Sequence, residues 1–288
     1  MTVAPQRIEA LLEQAGGRLE AVSGTPRLDA ELLLGHVLGL GRAALRGRGE
    51  QVVESRAAAA FETLLGRRAA GEPVAYLTGR RAFWTLDLAV GPDVLVPRPE
   101  TELLVEAAVA RLDSHPAPAI LDLGAGSGAV ALAIASELPT AVVTGVDASA
   151  AALEIARRNA RDSGLEHVRF LQGDWYGPCA GRRFDAVVSN PPYLASSDPH
   201  LPALSHEPVE ALVAGPTGLE ALQSIISGAP AHLLPGGTLL LEHGAGQGPA
   251  VRAACAAAGL EGIETLGDLA GHERVTVARA PAAPAEAR

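Results

Sequence analysis

Apolar residues recur at helical spacing through the first quarter of the chain. The spacing predicts helices over 5–15 and 50–70, with another helix between them. The middle helix begins after Thr25, a residue type that caps helices, and has Pro26 at its first position. Because no strand pattern interrupts these segments, we predict a small helical domain over 1–80. The defining apolar positions are Ile8, Leu11 and Leu12, then Leu28, Leu32, Leu33 and Val37, and finally Val52, Val53, Phe61, Leu64 and Leu65.

The pattern changes to alternation over 83–97, which is the period of a half-buried strand. Gly91-Pro92-Asp93 indicates a turn, and the apolar pattern continues beyond it over 94–96. We therefore predict a connecting β-hairpin within 81–98. The apolar positions on one side of its first strand are Trp84, Leu86, Leu88 and Val90.

Strand and helix patterns alternate through the rest of the chain. Such alternation is typical of a parallel, doubly wound sheet. We therefore expect an α/β domain over 99–280, followed by a frayed tail over 281–288. The predicted strands are 119–123, 141–147, 167–174, 184–190, 238–244 and 273–279. The predicted helices are 100–112, 128–137, 149–163 and 247–258.

Composition and charge narrow the classes of function. The chain has 288 residues, of which 48% are apolar, and its net charge is −10. An acidic chain is a poor candidate for binding nucleic acid directly through bulk electrostatics. We find no signal peptide and no apolar run of about 20 residues, the length of a membrane span. We therefore expect a soluble cytoplasmic protein with no membrane partner.

The cysteine and histidine residues give no sign of a metal centre. Cys179 and Cys255 lack the spacing of a disulfide framework or a metal site, so we expect both to be buried. His200, His206 and His243 are dispersed and lack ligand spacing. We therefore predict no metal.

A glycine-rich segment of the form D-x-G-x-G-x-G joins the first strand of the α/β region to its helix. Glycines let the backbone turn sharply and let a ligand lie against it, although a tight turn with positive φ would need them equally. The acid at the strand end would repel a pyrophosphate and would suit a ligand with an ammonium group. The candidate ligand-binding residues are Asp122, Gly124, Ala125, Gly126, Ser127 and Gly128.

Further acids end the next two strands. Asp147 lies where an acid typically hydrogen-bonds ribose hydroxyls. Asp174 can accept from an adenine amine and Trp175 can lie beside the ring, or the pair is a loop acid with an aromatic that covers the sheet edge. Taken with the glycines, these acids predict a nucleoside with a cationic amino-acid tail. S-adenosylmethionine, with S-adenosylhomocysteine as its product, fits that description.

The segment Asn190-Pro191-Pro192-Tyr193 ends the fourth strand, whose carboxyl end should open into the same crevice. The Asn190 side-chain oxygen and the Pro191 carbonyl are two acceptors, which suit a substrate NH₂ group. Tyr193 offers a flat face for a planar substrate. A rigid proline turn explains the prolines but not the Asn or the Tyr. We therefore predict methyl transfer to a planar NH₂ group, catalysed by positioning and without a strong base.

With its glycine loop and Asn-Pro-Pro-Tyr corner, the sequence resembles the class I N-methyltransferases that act on planar amino groups. Further segments resemble one branch of them, the protein-glutamine N5-methyltransferases of peptide-chain release factors (the PrmC/HemK family). Those segments are Val96-Pro97-Arg98-Pro99-Glu100-Thr101-Glu102, Asp198-Pro199-His200-Leu201, Glu207-Pro208, Ala211-Leu212, and Leu240-Leu241-Glu242-His243-Gly244 with Gln247.

The resemblance covers essentially the whole chain. It implies a Rossmann-like class I methyltransferase domain with a mostly parallel seven-stranded sheet, a small N-terminal helical domain and a connecting hairpin. It implies that 124–128, Asp147, Trp175 and Asn190 hold S-adenosylmethionine, and that 190–193 hold the glutamine. The substrate would be the Gly-Gly-Gln glutamine of class I release factors, which the helical domain would help to dock.

Two rival functions remain at this stage. The same corner occurs in enzymes that methylate adenine N6 or guanine N2 in nucleic acid, but the acidic charge and the lack of an evident target-recognition domain weigh against them. A non-catalytic docking module is the other rival, and the intact corner and glycine loop argue against it. Arg98 is expected either to pair with Glu100 or Glu102 or to help wall the active site.

Overall fold

The computed structural model describes residues 6–283 of the chain. It divides at Arg80 and Arg81 into two compact units, which are described separately. Most of the predicted frayed tail lies outside the described residues.

The first unit consists mainly of helices around a core of leucines and alanines. Two residue pairs that we expected within helices, Gln6–Arg7 (β1) and Val52–Val53 (β2), instead form a short antiparallel ladder. That expectation is therefore wrong at both positions. The helices are α1 (Ile8–Leu19), α2 (Pro26–Leu38), α3 (Arg42–Arg46), α4 (Ser55–Ala69) and α5 (Val74–Thr78).

Two details of α2 differ from the prediction. Pro26 is its first residue, as expected, but the Thr25 side chain makes no capping hydrogen bond. Its hydroxyl lies 3.5 Å from the Asp29 carboxylate instead. Leu32, expected on the apolar face, is exposed, whereas Glu31 is buried among arginines.

The hairpin of the second unit lies earlier in the chain than predicted. Its strands are β3 (Arg80–Phe83) and β4 (Leu86–Ala89), so the turn is at Trp84 rather than at 91–93. Trp84 has a φ of 55°, and Glu102 and Glu137 hold it by accepting from its backbone N–H and its indole N–H. The segment 91–93 does turn, but 94–96 runs on as irregular chain.

A seven-stranded sheet forms the centre of the second unit, in the order β12-β13-β11-β8-β5-β6-β7. The five strands from β11 to β7 are parallel, and β13 is antiparallel to both of its neighbours. This arrangement confirms the predicted Rossmann-like fold. The strands are β5 (Ala119–Leu123), β6 (Val142–Asp147), β7 (Arg169–Gln172), β8 (Phe184–Ser189), β11 (Leu233–Glu242), β12 (Glu261–Gly267) and β13 (Glu273–Arg279). A two-residue β9 (Leu194–Ala195) pairs with β10 (Val213–Gly215) outside that sheet.

Helices cover the sheet and bury an apolar cluster on each face. They are α6 (Glu102–Leu112), α7 (Ala129–Glu137), α8 (Ala150–Asp162), α9 (Glu220–His232) and α10 (Gly248–Ala257), and a 3₁₀ turn (Pro99–Thr101) precedes α6. The sequence predicted neither α9 nor β12. From β5 the chain first builds outward through β6 and β7, and it then returns to place β8 on the other side of β5. Such a reversal opens a crevice at the carboxyl ends of β5 and β8, which is where open α/β sheets bind ligands.

Candidate active site

A cavity of about 480 Å³ lies at this crevice, within the range of sites that hold small molecules. Most of the predicted site residues line it, namely Gly124, Ala125, Gly126, Ser127, Asp147, Asp174, Trp175, Asn190 and Pro192. Four predicted residues, Asp122, Gly128, Pro191 and Tyr193, are not among the lining residues. The loops over 93–97 and 208–211 complete the wall, and no sequence pattern pointed to them.

The glycine loop joins β5 to α7 with positive φ at alternate positions. Gly124, Gly126 and Gly128 have φ of 73°, 53° and 82°. At Gly126 a Cβ would meet nothing within 4 Å, so this backbone faces the open cavity. At Gly128 a Cβ would lie 3.1 Å from the Phe170 ring, so this glycine serves packing beneath the loop. The loop is thus both a tight turn and a surface that a ligand can approach.

Asp147, at the end of β6, fixes the loop and the start of the next helix. Its Oδ2 accepts from the Gly126 N–H at 2.8 Å, and its Oδ1 accepts from the Ser149 N–H at 2.8 Å. A carboxylate oxygen has room for more than one donor. Asp147 therefore holds the loop in place and can still accept from a ligand hydroxyl.

Asp122 lies beneath the loop rather than at the cavity. Its carboxyl group is buried and accepts from the Ala131 N–H at 3.1 Å. Burial, with a contribution from the nearby charge of Asp147, raises the pKa of Asp122 to about 7. The geometry therefore favours an indirect influence on a ligand, through the loop and through its charge.

Trp175 follows β7 and lies beside the glycine loop. It has a φ of 43°, and a Cβ placed on Gly124 would be 3.8 Å from its ring. The ring also packs against the apolar cluster on one face of the sheet. Both interpretations of this aromatic therefore hold, because it covers the sheet edge and presents a flat surface to the cavity.

The side chain of Asn190, at the carboxyl end of β8, is held by a residue that sequence reasoning missed. Its Nδ2 donates to the Thr101 Oγ1 at 3.0 Å. Because its NH₂ end is bonded in this way, the acceptor Oδ1 is left for a ligand. Pro191 is buried and Pro192 lines the cavity.

Tyr193 is held by its backbone, since its carbonyl accepts from the Gln247 Nε2 at 3.0 Å. Its phenol is largely buried, and this burial, with the charge of Glu242, raises its pKa to about 12. The phenol therefore stays protonated at neutral pH. Its role as a flat wall for the substrate remains a prediction.

Glu242, the last residue of β11, is a second group that the sequence did not single out. It is 2% exposed, and the Thr101 hydroxyl hydrogen-bonds its carboxyl group. Its other oxygen, Oε2, has no hydrogen-bond partner among the described residues. The only sequence signal for Thr101 and Glu242 was their place in segments that carry the family resemblance.

Arg98 pairs with Glu207 rather than with Glu100 or Glu102. Glu207 also accepts from the Val96 N–H at 3.0 Å, so one buried carboxylate ties 96–98 to the loop over 207–211. Since both segments border the cavity, this ion pair supports the cavity wall.

Comparison with known proteins places the chain in a family. The family model described as "PrmC N-terminal domain" matches residues 10–79, and the one described as "Methyltransferase small domain" matches 99–243. A release factor glutamine methyltransferase from Xylella fastidiosa (strain Temecula1) is 52% identical over 94% of this chain and 98% of its own length. Enzymes of the same description from Vibrio cholerae and Escherichia coli K12 are 47% and 46% identical, over 94% and 93% of this chain and 96% and 97% of theirs. The chain belongs to the release factor glutamine methyltransferases.

Solved structures agree with the fold of this release factor glutamine methyltransferase. A methyltransferase from Pyrococcus furiosus aligns with a TM-score of 0.53 at 19% identity, over 76% of this chain and 99% of that one. The Thermus thermophilus 16S rRNA N2 methyltransferase RsmC, solved with AdoMet and guanosine, gives 0.51 at 24% identity, over 70% and 49%. These likenesses concern the fold alone.

Within this release factor glutamine methyltransferase, the matched range 99–243 contains the glycine loop, the Asn190 corner, Thr101 and Glu242. Over residues 6–283 there is no group of three or more His, Cys, Asp or Glu side chains placed to hold a metal. No helix in that part of the chain is long and apolar enough to cross a membrane.

Proposed function

We propose that this protein transfers a methyl group from S-adenosylmethionine to the side-chain amide nitrogen of the glutamine in the Gly-Gly-Gln motif of class I release factors. The observation that carries the proposal is the orientation of Asn190 at the end of β8. With its Nδ2 bonded to Thr101, its oxygen is the end available to accept from a substrate NH₂ group.

The cavity suits the methyl donor. The bare backbone at Gly126 leaves room for a ligand against the loop, and Asp147 can accept from ribose hydroxyls. Asp174 and Trp175 lie where an adenine ring would meet one acceptor and one flat face. When bound, S-adenosylmethionine supplies a methyl group activated by a sulfonium.

The corner residues act by positioning. The nitrogen of a glutamine amide is a poor nucleophile because its lone pair is delocalised into the carbonyl. Asn190 Oδ1 and the Pro191 carbonyl accept its two N–H bonds, which orients the nitrogen and favours pyramidal character as it attacks. As the N–CH₃ bond forms and the S–CH₃ bond breaks, the nitrogen becomes acidic and loses a proton to solvent. No strong base is needed.

Recognition of the release factor would involve more than the cavity. The first unit, which is matched by the N-terminal family model over 10–79, has no comparable cavity among the pockets described and would dock the body of the substrate protein. We propose this docking role for 1–80, a connecting role for 81–98 and the transfer role for 99–280.

Mass spectrometry of a purified, unmethylated release factor incubated with the enzyme and S-adenosylmethionine tests the proposal. One added methyl group on the Gly-Gly-Gln glutamine is expected, and a release factor with alanine at that position should gain none. Undermethylated RNA and DNA serve as competing substrates with labelled donor. Label in nucleic acid alone would overturn the proposal.

A further inference from the structure

We propose that Glu242 and Thr101 act together as positioning residues that fix which end of the Asn190 amide faces the substrate. The inference rests on the proposed function, since it concerns the group that would hold the substrate amide.

The three side chains come together from different parts of the second unit. Thr101 ends the 3₁₀ turn before α6, Glu242 ends β11, and Asn190 follows β8, the neighbour of β11 in the sheet. Asn190 Nδ2 donates to Thr101 Oγ1 at 3.0 Å, and the Thr101 hydroxyl hydrogen-bonds the Glu242 carboxyl group. Thr101 is 4% exposed and Glu242 is 2% exposed, so bulk water does not compete for these bonds.

The direction of this chain of bonds follows from the chemistry of its groups. A hydroxyl has one hydrogen to donate, and an ionised carboxylate can only accept. The hydrogen of Thr101 therefore goes to Glu242, which leaves Thr101 Oγ1 able to accept but not to donate toward Asn190. Asn190 must then turn its NH₂ end to Thr101 and its oxygen away.

Packing alone does not select this orientation, because the oxygen and nitrogen ends of an amide have nearly the same shape. If Glu242 carries a proton, it can donate to Thr101, and Thr101 can donate to the Asn190 oxygen. The amide would then present its NH₂ end to the substrate NH₂ group, so that two donors would face each other. The charge on Glu242 therefore decides whether the clamp is an acceptor.

The surroundings allow this charge to change near neutral pH. Burial raises the pKa of Glu242 to about 7, with the Thr101 hydrogen bond opposing the shift. The unpartnered Oε2 is consistent with a carboxyl group that takes up a proton readily. The ionisable neighbours that face Glu242 are Arg274 and Arg98, which lower its pKa, Glu100, which raises it, and Tyr193.

The test compares Glu242→Gln, Thr101→Val and Thr101→Ser with the wild type, on release factor, between pH 6 and pH 9. In the wild type, kcat should rise with pH through about 7 as Glu242 ionises. Glu242→Gln and Thr101→Val should each lower kcat about tenfold, the scale of one misplaced hydrogen bond, and should lack that rise. Affinity for S-adenosylmethionine, measured by calorimetry, should be unchanged. Thr101→Ser should recover most of the rate lost in Thr101→Val.

A double variant and a control separate positioning from a general loss of stability. The double variant Glu242→Gln/Thr101→Val should be no slower than either single variant, because both remove the same constraint. Thr238→Val alters a buried threonine of the same strand, four residues before Glu242, and should keep the wild-type rate and pH profile.

The inference is overturned if Glu242→Gln retains the wild-type pH profile, or if the losses in the double variant multiply. If Glu242→Gln does not fold, the pH profiles of the two Thr101 variants decide alone. Failure of the wild type to methylate release factor would refute the proposed function instead. The same variants are then compared on the substrate that does take the label, since the clamp argument applies to any planar NH₂ group.

Discussion

Adding a methyl group at Gly126 should separate ligand binding from folding stability. Gly126 lines the cavity with a φ of 53°, and a Cβ there would meet nothing within 4 Å. Gly164, in the turn after α8, is a matched control. It has a φ of 69°, is equally uncrowded, and is not among the residues that line the cavity.

The expected magnitudes follow from those two environments. An L-residue held at positive φ costs roughly 1–2 kcal/mol, so Gly126→Ala and Gly164→Ala should lower the free energy of unfolding by similar amounts. Only the Gly126 methyl group projects into the space proposed for S-adenosylmethionine. Crowding by one methyl group typically costs about 1–3 kcal/mol, which corresponds to a dissociation constant roughly 5- to 150-fold higher.

Urea unfolding and calorimetric titration with S-adenosylmethionine measure the two effects separately. The two variants should unfold at similar urea concentrations, and only Gly126→Ala should bind the donor weakly. Normal binding by Gly126→Ala would show that the ligand does not lie against this loop. Equal weakening in Gly164→Ala would show that the loss comes from strain in the fold and not from contact with the ligand.

Four further outcomes are expected. Asn190→Ala should slow methyl transfer by roughly 100-fold, the cost of lost alignment, while calorimetry shows that the donor still binds; undiminished transfer would refute the clamp. Gly128→Ala should lower stability by about 2–4 kcal/mol in urea, because crowding within 3.1–3.3 Å adds to a φ of 82°. Glu31→Ala removes the partner of three half-exposed arginines and should cost about 1–3 kcal/mol. The ion pairs lower the pKa of Glu31, so its contribution should persist at neutral pH and vanish in acid as pH falls through its folded-state pKa. A buried carboxyl group such as Asp122, whose pKa is raised to about 7, favours folding below its unfolded pKa and loses that contribution as pH rises through 7. Asp122→Asn should therefore flatten part of the fall in thermal stability between about pH 4 and pH 7.

The parallel strands could be predicted because they are buried on both faces and read as short apolar runs. The predicted 119–123 matches β5, and 273–279 matches β13. By contrast, β12 alternates polar and apolar residues at the sheet edge and is mostly exposed or half-buried, so its sequence lacks a strand signal. Helix α9 includes Gly228 and Pro230, which weaken any helical pattern.

The misplaced hairpin shows where local turn chemistry misleads. Gly91-Pro92-Asp93 is a stronger turn signal than Trp84-Thr85, yet the hairpin turns at Trp84. Two acidic side chains, 18 and 53 residues away along the chain, accept hydrogen bonds from Trp84 and stabilise its positive φ. Tertiary contacts of this kind leave no pattern in the local sequence.

The candidate site divides along the same physical line. Residues at strand ends, such as Asp147 and Asn190, could be found because the topology of a parallel sheet brings its carboxyl ends together. The orientation of the Asn190 amide could not, since it depends on Thr101, 89 positions earlier, and on Glu242 from another strand. A motif names the groups available for chemistry, whereas the side chains behind it decide which atom of Asn190 the substrate meets. Replacing Asn190 therefore tests the motif, but only replacing Thr101 or Glu242 tests why its oxygen faces the cavity.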